Sequence, residues 1–170
     1  MVGLTILLVF SSGYLIEVFK DNNPFAIRPS AGALESQEVY AELIQTKVRG
    51  LDGTGVRVCI VDSGIDTTHK DLSGVNLVAW RDFVNNQEQP YDDQGHGTSM
   101  AGILVADGWM EGVAPEVELV VAKALSGNGS GDDGVVAEAI DWCVGQNVQI
   151  ISLSLLRLLV REIPLQLMVH

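Results

Sequence analysis

The chain has 170 residues, with 22 acidic and 10 basic side chains, and 47% of its residues are hydrophobic. This composition is typical of a single globular domain. A net charge of −12 without any cluster of Lys or Arg excludes nucleic acid and anionic membrane surfaces as the main partners of the protein.

Charge and glycine content divide the chain into three parts. Residues 51–145 hold 16 acidic and four basic side chains, the two flanks together are neutral, and 15 of the 18 glycines lie between residues 50 and 145. We therefore predict an N-terminal extension or a remnant of an upstream region over residues 1–50, a domain over residues 51–155 and a divergent tail over residues 156–170. The apolar run at residues 4–10 is short for a membrane span, and no basic residue precedes it.

Strand and helix patterns alternate along the middle of the chain. Short apolar runs of strand length lie at residues 56–61, 75–80, 117–122 and 148–154. One helical pattern begins at residues 95–96, and another spans residues 135–144, where an apolar stripe consists of Val136, Ala139, Ile140 and Cys143. Apolar strands separated by helices predict an α/β fold of three layers, a mostly parallel sheet with helices on both faces.

Two polar residues beside these elements are the candidates for catalysis. In parallel sheets, ligands gather outside the carboxyl ends of the strands, and Asp62 ends the first predicted strand. His96 lies 34 residues later at a helix start, with a glycine on each side that allows the backbone to pack closely. A carboxylate that accepts the proton of one imidazole nitrogen leaves the other nitrogen free as a general base. Asp62 and His96 could therefore be two members of a nucleophilic triad.

Five segments, in this order, resemble the subtilisin-like serine proteases. They are IVDSGIDTTHKDL at residues 60–72, DDQGHGTSMAGILVA at 92–106, GVAPEVELVVAKAL at 112–125, GSG at 129–131 and VQIISLSL at 148–155. The resemblance covers residues 51–155 and implies part of a catalytic domain that hydrolyses peptide bonds through an acyl-enzyme. By position, it makes Asp62 the orienting acid and His96 the general base.

The resemblance also implies where a polypeptide substrate binds. Gly129, Ser130 and Gly131 match the strand edge to which an extended peptide adds by main-chain hydrogen bonds. Ser154 and Leu155 match positions that line the pocket for the side chain before the scissile bond. The resemblance also implies an extracellular or cell-surface location.

A structural calcium ion is the one cofactor that the resemblance raises. Asp71 matches a position that helps to hold such an ion in relatives. The stretch DGWMEG at residues 107–112, however, is too short for the loop that supplies most of the other ligands. We therefore expect no required cofactor, and the short loop argues against calcium.

The sequence departs from the family pattern at its C-terminal side. Leu156 and Arg157 stand where relatives have paired glycines, no Asn follows Asn147, and no Ser follows Ser154. The oxyanion-hole Asn and the nucleophilic Ser of the family are thus absent. We expect the fold to be incomplete at this side and the isolated chain to be inactive.

Other functions remain open alongside the inactive serine endopeptidase. The chain could be a non-catalytic remnant or a peptide-binding module that keeps the substrate edge. It could also be half of a split protease that assembles with a complementary C-terminal fragment, because strand edges without a neighbour promote association.

Several residues have competing interpretations. Gly97 to Ala101 spells the nucleophile motif of the family, but Ser99 lies directly behind His96, and a self-contained pair would still lack oxyanion donors. Asp92 and Asp93 could suggest a metal site, although a solvated acidic loop is the preferred interpretation.

A glycine pattern and two cysteines allow further alternatives. Residues 129–134 fit the dinucleotide-binding pattern GxGxxG, but Asp132 and Asp133 would repel a pyrophosphate and instead suit a helix N-terminus. Cys59 and Cys143 are expected to be buried, small apolar residues, because neither belongs to a CxxC motif.

Overall fold

A parallel four-stranded sheet forms the centre of the domain. The computed structural model describes residues 29–43 and 50–155. Its strands are β1 (Arg57–Asp62), β2 (Leu77–Asp82), β3 (Glu118–Lys123) and β4 (Ile150–Leu153), in the spatial order β2-β3-β1-β4. All three strand pairs are parallel, with Asp62 opposite Lys123 in the register of β1 and β3. The predicted strands are confirmed, with bounds that differ by one or two residues.

The described residues form three helices, α1 (Ala31–Leu43), α2 (His96–Val105) and α3 (Asp133–Gly145). The predicted helical patterns correspond to α2 and α3. Helix α1 was not predicted from the sequence, and it belongs to the segment predicted as an extension. None of these helices combines the length and the apolar character that crossing a bilayer requires.

Alternating side chains of the strands build two hydrophobic clusters, one on each face of the sheet. On one face, Val58 and Ile60 of β1 belong to a cluster with Ala101 and Val105 of α2. On the other face, Val61 belongs to a cluster with residues of α3. The central strands β1 and β3 are buried on both faces, which explains their continuous apolar sequences. The helices on both sides confirm the predicted α/β architecture.

A disulfide bond links the sheet to α3. Cys59 of β1 and Cys143 of α3 are both fully buried, as predicted, but they are bonded to each other across 84 residues of sequence. The interpretation of these cysteines as unpaired apolar residues is therefore wrong. Pairing depends on the packing of α3 against β1, which no local sequence motif reveals.

The predictions for residues 1–28 and 156–170 lie outside the described residues. These predictions include the apolar run at residues 4–10 and the divergent tail with Leu156 and Arg157.

Candidate functional site

The structure brings the predicted acid and base into direct contact. Nδ1 of His96 lies 2.8 Å from Oδ1 and 2.9 Å from Oδ2 of Asp62. Asp62 ends β1 with no exposed side-chain surface, whereas the His96 side chain is 40% exposed. Because a carboxylate can only accept a hydrogen bond, this contact favours the tautomer with the proton on Nδ1, which leaves Nε2 as the basic nitrogen. The contact joins a buried acid to an imidazole that solvent or a ligand can reach.

Three side chains hold the N-terminus of α2, where His96 is the first residue. The N-cap is Gly95, which has no side chain to bond the free backbone N–H groups. Side chains that precede the helix accept hydrogen bonds from its first three backbone N–H groups instead. The N–H of His96 donates to Gln94 Oε1 (2.7 Å), that of Gly97 to Ser63 Oγ (2.9 Å) and that of Thr98 to Asp92 Oδ2 (2.9 Å). These contacts fix the start of the helix and hence the backbone of His96.

Asp92 is the centre of this cap. Its Oδ1 accepts hydrogen bonds from the Ser63 hydroxyl and from the backbone N–H groups of Gln94 and Gly95. Its Oδ2 accepts hydrogen bonds from the backbone N–H and the hydroxyl of Thr98. Burial raises the pKa of the Asp92 carboxyl, but the hydrogen bonds from Thr98, Gly95 and Gln94 outweigh burial and lower the pKa to about 2. The interpretation of Asp92 as part of a solvated acidic loop is wrong.

The two glycines beside His96 serve different purposes. Gly95 has a φ of +95°, a left-handed conformation that favours glycine. A Cβ atom on Gly97 would lie 2.2 Å from the carbonyl oxygen of Gly64, so any side chain would push α2 away from the chain that leaves β1. The predicted close approach of the backbone is thus confirmed at Gly97, whereas Gly95 is explained by its conformation.

A buried cation, Lys123, lies opposite Asp62 in the register of the sheet. Lys123 ends β3 without exposed surface, and its Nζ lies 2.6 Å from Oδ1 of Asp93. Asp93 itself is exposed, with 41% of its side-chain surface accessible, so the interpretation as a solvated acidic loop fits this residue. Neither Asp92 nor Asp93 belongs to a metal-binding group of three ligands within the described residues.

An open cleft of about 560 Å³ joins His96 to the predicted substrate residues. It is lined by His96, Gly129, Ser130, Gly131, Ser154 and Leu155, together with Gln94, Leu125, Asp133 and Val136. The five residues that the resemblance assigned to substrate binding therefore lie around one cavity with the imidazole. Their binding role remains a prediction.

The segment at residues 129–131 is not a strand, although a strand edge was predicted. Gly129 has a φ of +79° and lies within a turn closed by a hydrogen bond of 2.9 Å from the backbone N–H of Ser126 to the carbonyl of Ser130. Asn128 Oδ1 accepts a further hydrogen bond of 2.9 Å from the Ser130 N–H. The turn interrupts strand geometry before Gly131, where a Cβ would lie 2.6 Å from the carbonyl oxygen of Ala124.

Asp132 and Asp133 stand at the start of α3, as the sequence suggested. Asp132 is the N-cap, and its side chain accepts a hydrogen bond of 2.8 Å from the N–H of Gly134. Asp133 is an acidic residue in the first turn. Both positions suit the positive end of the helix dipole, which favours the capping interpretation over a dinucleotide site.

Ser99 points away from the cleft. Its hydroxyl donates to the carbonyl of Gly95 at 2.9 Å, and it lines a second cavity of about 830 Å³ between α1 and α2 that His96 does not line. The structure therefore gives no support to Ser99 as a nucleophile paired with His96.

Asp71 holds a turn of the chain. Its Oδ1 accepts a hydrogen bond of 2.7 Å from the N–H of Trp109, and its carbonyl accepts one of 2.9 Å from Asp107. The short segment at residues 107–112 thus packs directly on Asp71. The calcium expectation at this residue remains a prediction.

Sequence reasoning missed the residues that support the pair. Asp92 and Thr98 could have been recognised, because an acidic residue shortly before a helix start is a capping signal. Ser63 gave no such signal, since its partners at residues 92 and 97 lie about 30 residues away. Lys123 ends an apolar strand and gave no sign of burial.

Comparison of the sequence with known proteins identifies one family. The model of the subtilase family matches residues 53–157. The thermostable alkaline protease of Halalkalibacterium halodurans is 35% identical over 144 residues, which are 80% of this chain and 39% of the relative. Thermitase of Thermoactinomyces vulgaris is 37% identical over 108 residues, which are 61% of this chain and 38% of thermitase.

A solved structure supports the same relation. The crystal structure of a cold adapted subtilisin-like serine proteinase matches with a TM-score of 0.51 and 37% identity, covering 58% of this chain and 35% of that chain. The chain thus spans well under half the length of these three relatives.

Proposed function

The chain belongs to the subtilase family, and from this membership we propose that Asp62 and His96 are the orienting acid and the general base of a serine endopeptidase. The observation that carries the proposal is the contact of His96 Nδ1 with both carboxylate oxygens of Asp62, at 2.8 and 2.9 Å. This is the arrangement that leaves Nε2 free to accept a proton.

In the proposed reaction, a serine hydroxyl attacks the carbonyl carbon of a peptide bond. Nε2 of His96 takes the hydroxyl proton during the attack and then passes it to the leaving amine, which gives an acyl-enzyme. Asp62 keeps the imidazole in the required tautomer and stabilises the imidazolium that forms. Within residues 29–43 and 50–155, no hydroxyl group hydrogen-bonds to the His96 imidazole, so the described residues supply the acid and base only.

The proposed substrate is a polypeptide that binds in the cleft beside His96. The cleft of about 560 Å³ is open and includes the backbone of Gly129 and Gly131, which offers room for a main chain without side-chain interference. Leu125 and Val136 give one wall an apolar surface suited to an aliphatic or aromatic side chain.

We also propose an oxidising, extracellular location for the protein. The disulfide between Cys59 and Cys143 supports this location, because structural disulfides persist outside the cytosol and are rare within it.

A chimera tests the catalytic proposal. The matching segment of thermitase is replaced by residues 53–155 of this chain, and cleavage of a peptide substrate is measured on chimeras whose folding is checked by circular dichroism. We expect cleavage, and we expect kcat to fall by about 10⁴-fold in Asp62→Asn and by about 10⁶-fold in His96→Ala. The matched control is His69→Ala, a histidine that lines the other cavity and should leave kcat unchanged.

A second candidate function is peptide binding without turnover. Two observations favour it: the described residues form a cleft, and none of their hydroxyl groups is hydrogen-bonded to the His96 imidazole. A folded chimera that binds the peptide but keeps the same low cleavage rate after His96→Ala would contradict the catalytic proposal and support the binding module. Assembly with a complementary C-terminal fragment would instead restore cleavage when the fragment is added to the 170-residue chain.

A further inference from the structure

Lys123 is a fully buried cation in the same row of the sheet as the proposed acid. It ends β3 and is the register partner of Asp62 in β1 and of Asp82 in β2. Asp62 and Asp82 are themselves buried. A buried ammonium group is costly unless each of its three hydrogens has an acceptor, so its partners indicate what it holds in place.

The three acceptors of Lys123 come from three separate segments. Nζ donates to the carbonyl of Ser63 at 2.6 Å, to the carbonyl of Leu125 at 2.8 Å and to the Asp93 carboxylate at 2.6 Å. Ser63 follows β1, Asp93 precedes α2, and Leu125 follows β3 and lines the cleft. One side chain therefore joins the exits of two strands to the loop before the helix of His96.

Ser63 connects this cation to the acid and the base. Its backbone N–H donates to Asp62 Oδ1 at 2.7 Å, and its hydroxyl accepts from the N–H of Gly97 at 2.9 Å. The carbonyl that Lys123 holds thus belongs to a residue that contacts the carboxylate on one side and the backbone next to His96 on the other. A shift of the Ser63 carbonyl would therefore move the Asp62 carboxylate and the backbone next to His96.

We propose that Lys123 is a positioning residue for the pair of Asp62 and His96. It fixes the Ser63 carbonyl, and Ser63 in turn orients the Asp62 carboxylate toward Nδ1 of the imidazole. Asp93 supplies the countercharge that allows the cation to be buried. This inference rests on the proposed function, since it assumes that the tautomer of His96 matters for catalysis.

The test reads the tautomer of His96 directly, on the full 170-residue chain labelled with ¹⁵N-histidine. The imidazole ¹⁵N shifts distinguish a proton on Nδ1 from one on Nε2, and His69 serves as an internal reference in each spectrum. We expect the wild type to show a proton on Nδ1 and Lys123→Met to lose this signature. The matched control is Lys70→Met, a lysine that lies over the Trp109 ring and should keep it.

A second pair of variants decides the question if Lys123→Met does not fold. Asp93→Ala removes the acceptor on the partly exposed side of the ion pair, and we expect a partial loss of the Nδ1 signature. Asp107→Ala changes an exposed acid elsewhere and should have no effect. If every folded variant of Lys123 and Asp93 keeps the wild-type signature, the positioning role is overturned. If the wild type itself lacks a proton on Nδ1, the proposed pairing of Asp62 with His96 is contradicted, and the positioning role of Lys123 is contradicted with it.

Discussion

Asp92 accepts both the backbone N–H and the hydroxyl of Thr98, at 2.9 and 2.6 Å, and so replaces the cap that Gly95 cannot provide. The two residues lie on either side of His96, which makes the cap of α2 part of the site. Because these bonds are made to a charged carboxylate, they are stronger than neutral ones and depend on pH.

The first prediction concerns this pH dependence. The pKa of Asp92 lies at about 2 in the folded protein and at 3.8 ordinarily, so its stabilising effect is complete above pH 3.8 and is lost as the pH falls toward 2. Since solvent screens part of these interactions, we expect this loss to be about 1–2 kcal/mol. Urea unfolding at pH 7 and at pH 2.5 measures how much the free energy of unfolding falls between the two pH values. This fall should be smaller for Asp92→Asn than for the wild type. Equal pH dependence in both proteins would contradict the assignment.

The second prediction compares two glycines of α2. Gly97→Ala should destabilise the fold by about 1–3 kcal/mol, because its Cβ would overlap the carbonyl oxygen of Gly64. Gly102→Ala, in the same helix with no atom within 4 Å of the new Cβ, should be neutral or stabilising by up to about 1 kcal/mol. Thermal unfolding of both variants provides the comparison. A Gly97→Ala protein as stable as Gly102→Ala would argue against close packing of α2 on Gly64.

The third prediction concerns the disulfide. It closes a loop across 84 residues, and its removal in the double variant Cys59→Ala, Cys143→Ala should cost about 2–5 kcal/mol of unfolding free energy. A reducing agent should lower the melting temperature of the wild type and leave that of the double variant unchanged. Detection of two free thiols in the native, unreduced protein would show that the bond is absent.

The fourth prediction concerns the 170-residue polypeptide alone. We expect no cleavage of casein and no labelling by a fluorophosphonate, because no hydroxyl in the described part of the chain bonds to His96 and Ser99 lines a different cavity. Labelling of a clean preparation that disappears in Ser99→Ala would overturn this expectation and would make Ser99 a nucleophile.

The order of the strands and helices could be predicted because it depends on local patterns. Apolar runs of strand length and the stripe that includes Ala139 and Cys143 are properties of neighbouring residues, and they located β1 to β4, α2 and α3 within a few residues. Asp62 and His96 could be paired because several linked motifs surround them, and the structure places them in contact.

The remaining features depend on contacts between distant segments. The disulfide requires α3 to pack on β1, and the burial of Lys123 requires acceptors from residues 63, 93 and 125 to converge. The turn at Gly129 replaced a predicted strand because Asn128 and Ser126 close it with local hydrogen bonds. None of these arrangements follows from periodicity alone.

The most direct test of the central claim is the ¹⁵N spectrum of His96 in the wild type and in Asp62→Asn. If Asp62 orients the base, Nδ1 of His96 is protonated in the wild type, and Asp62→Asn, whose amide can donate to Nδ1, moves the proton to Nε2, while the His69 signals stay the same. An identical His96 spectrum in both proteins would show that the carboxylate does not control the imidazole, and the proposed acid and base pair would then be wrong.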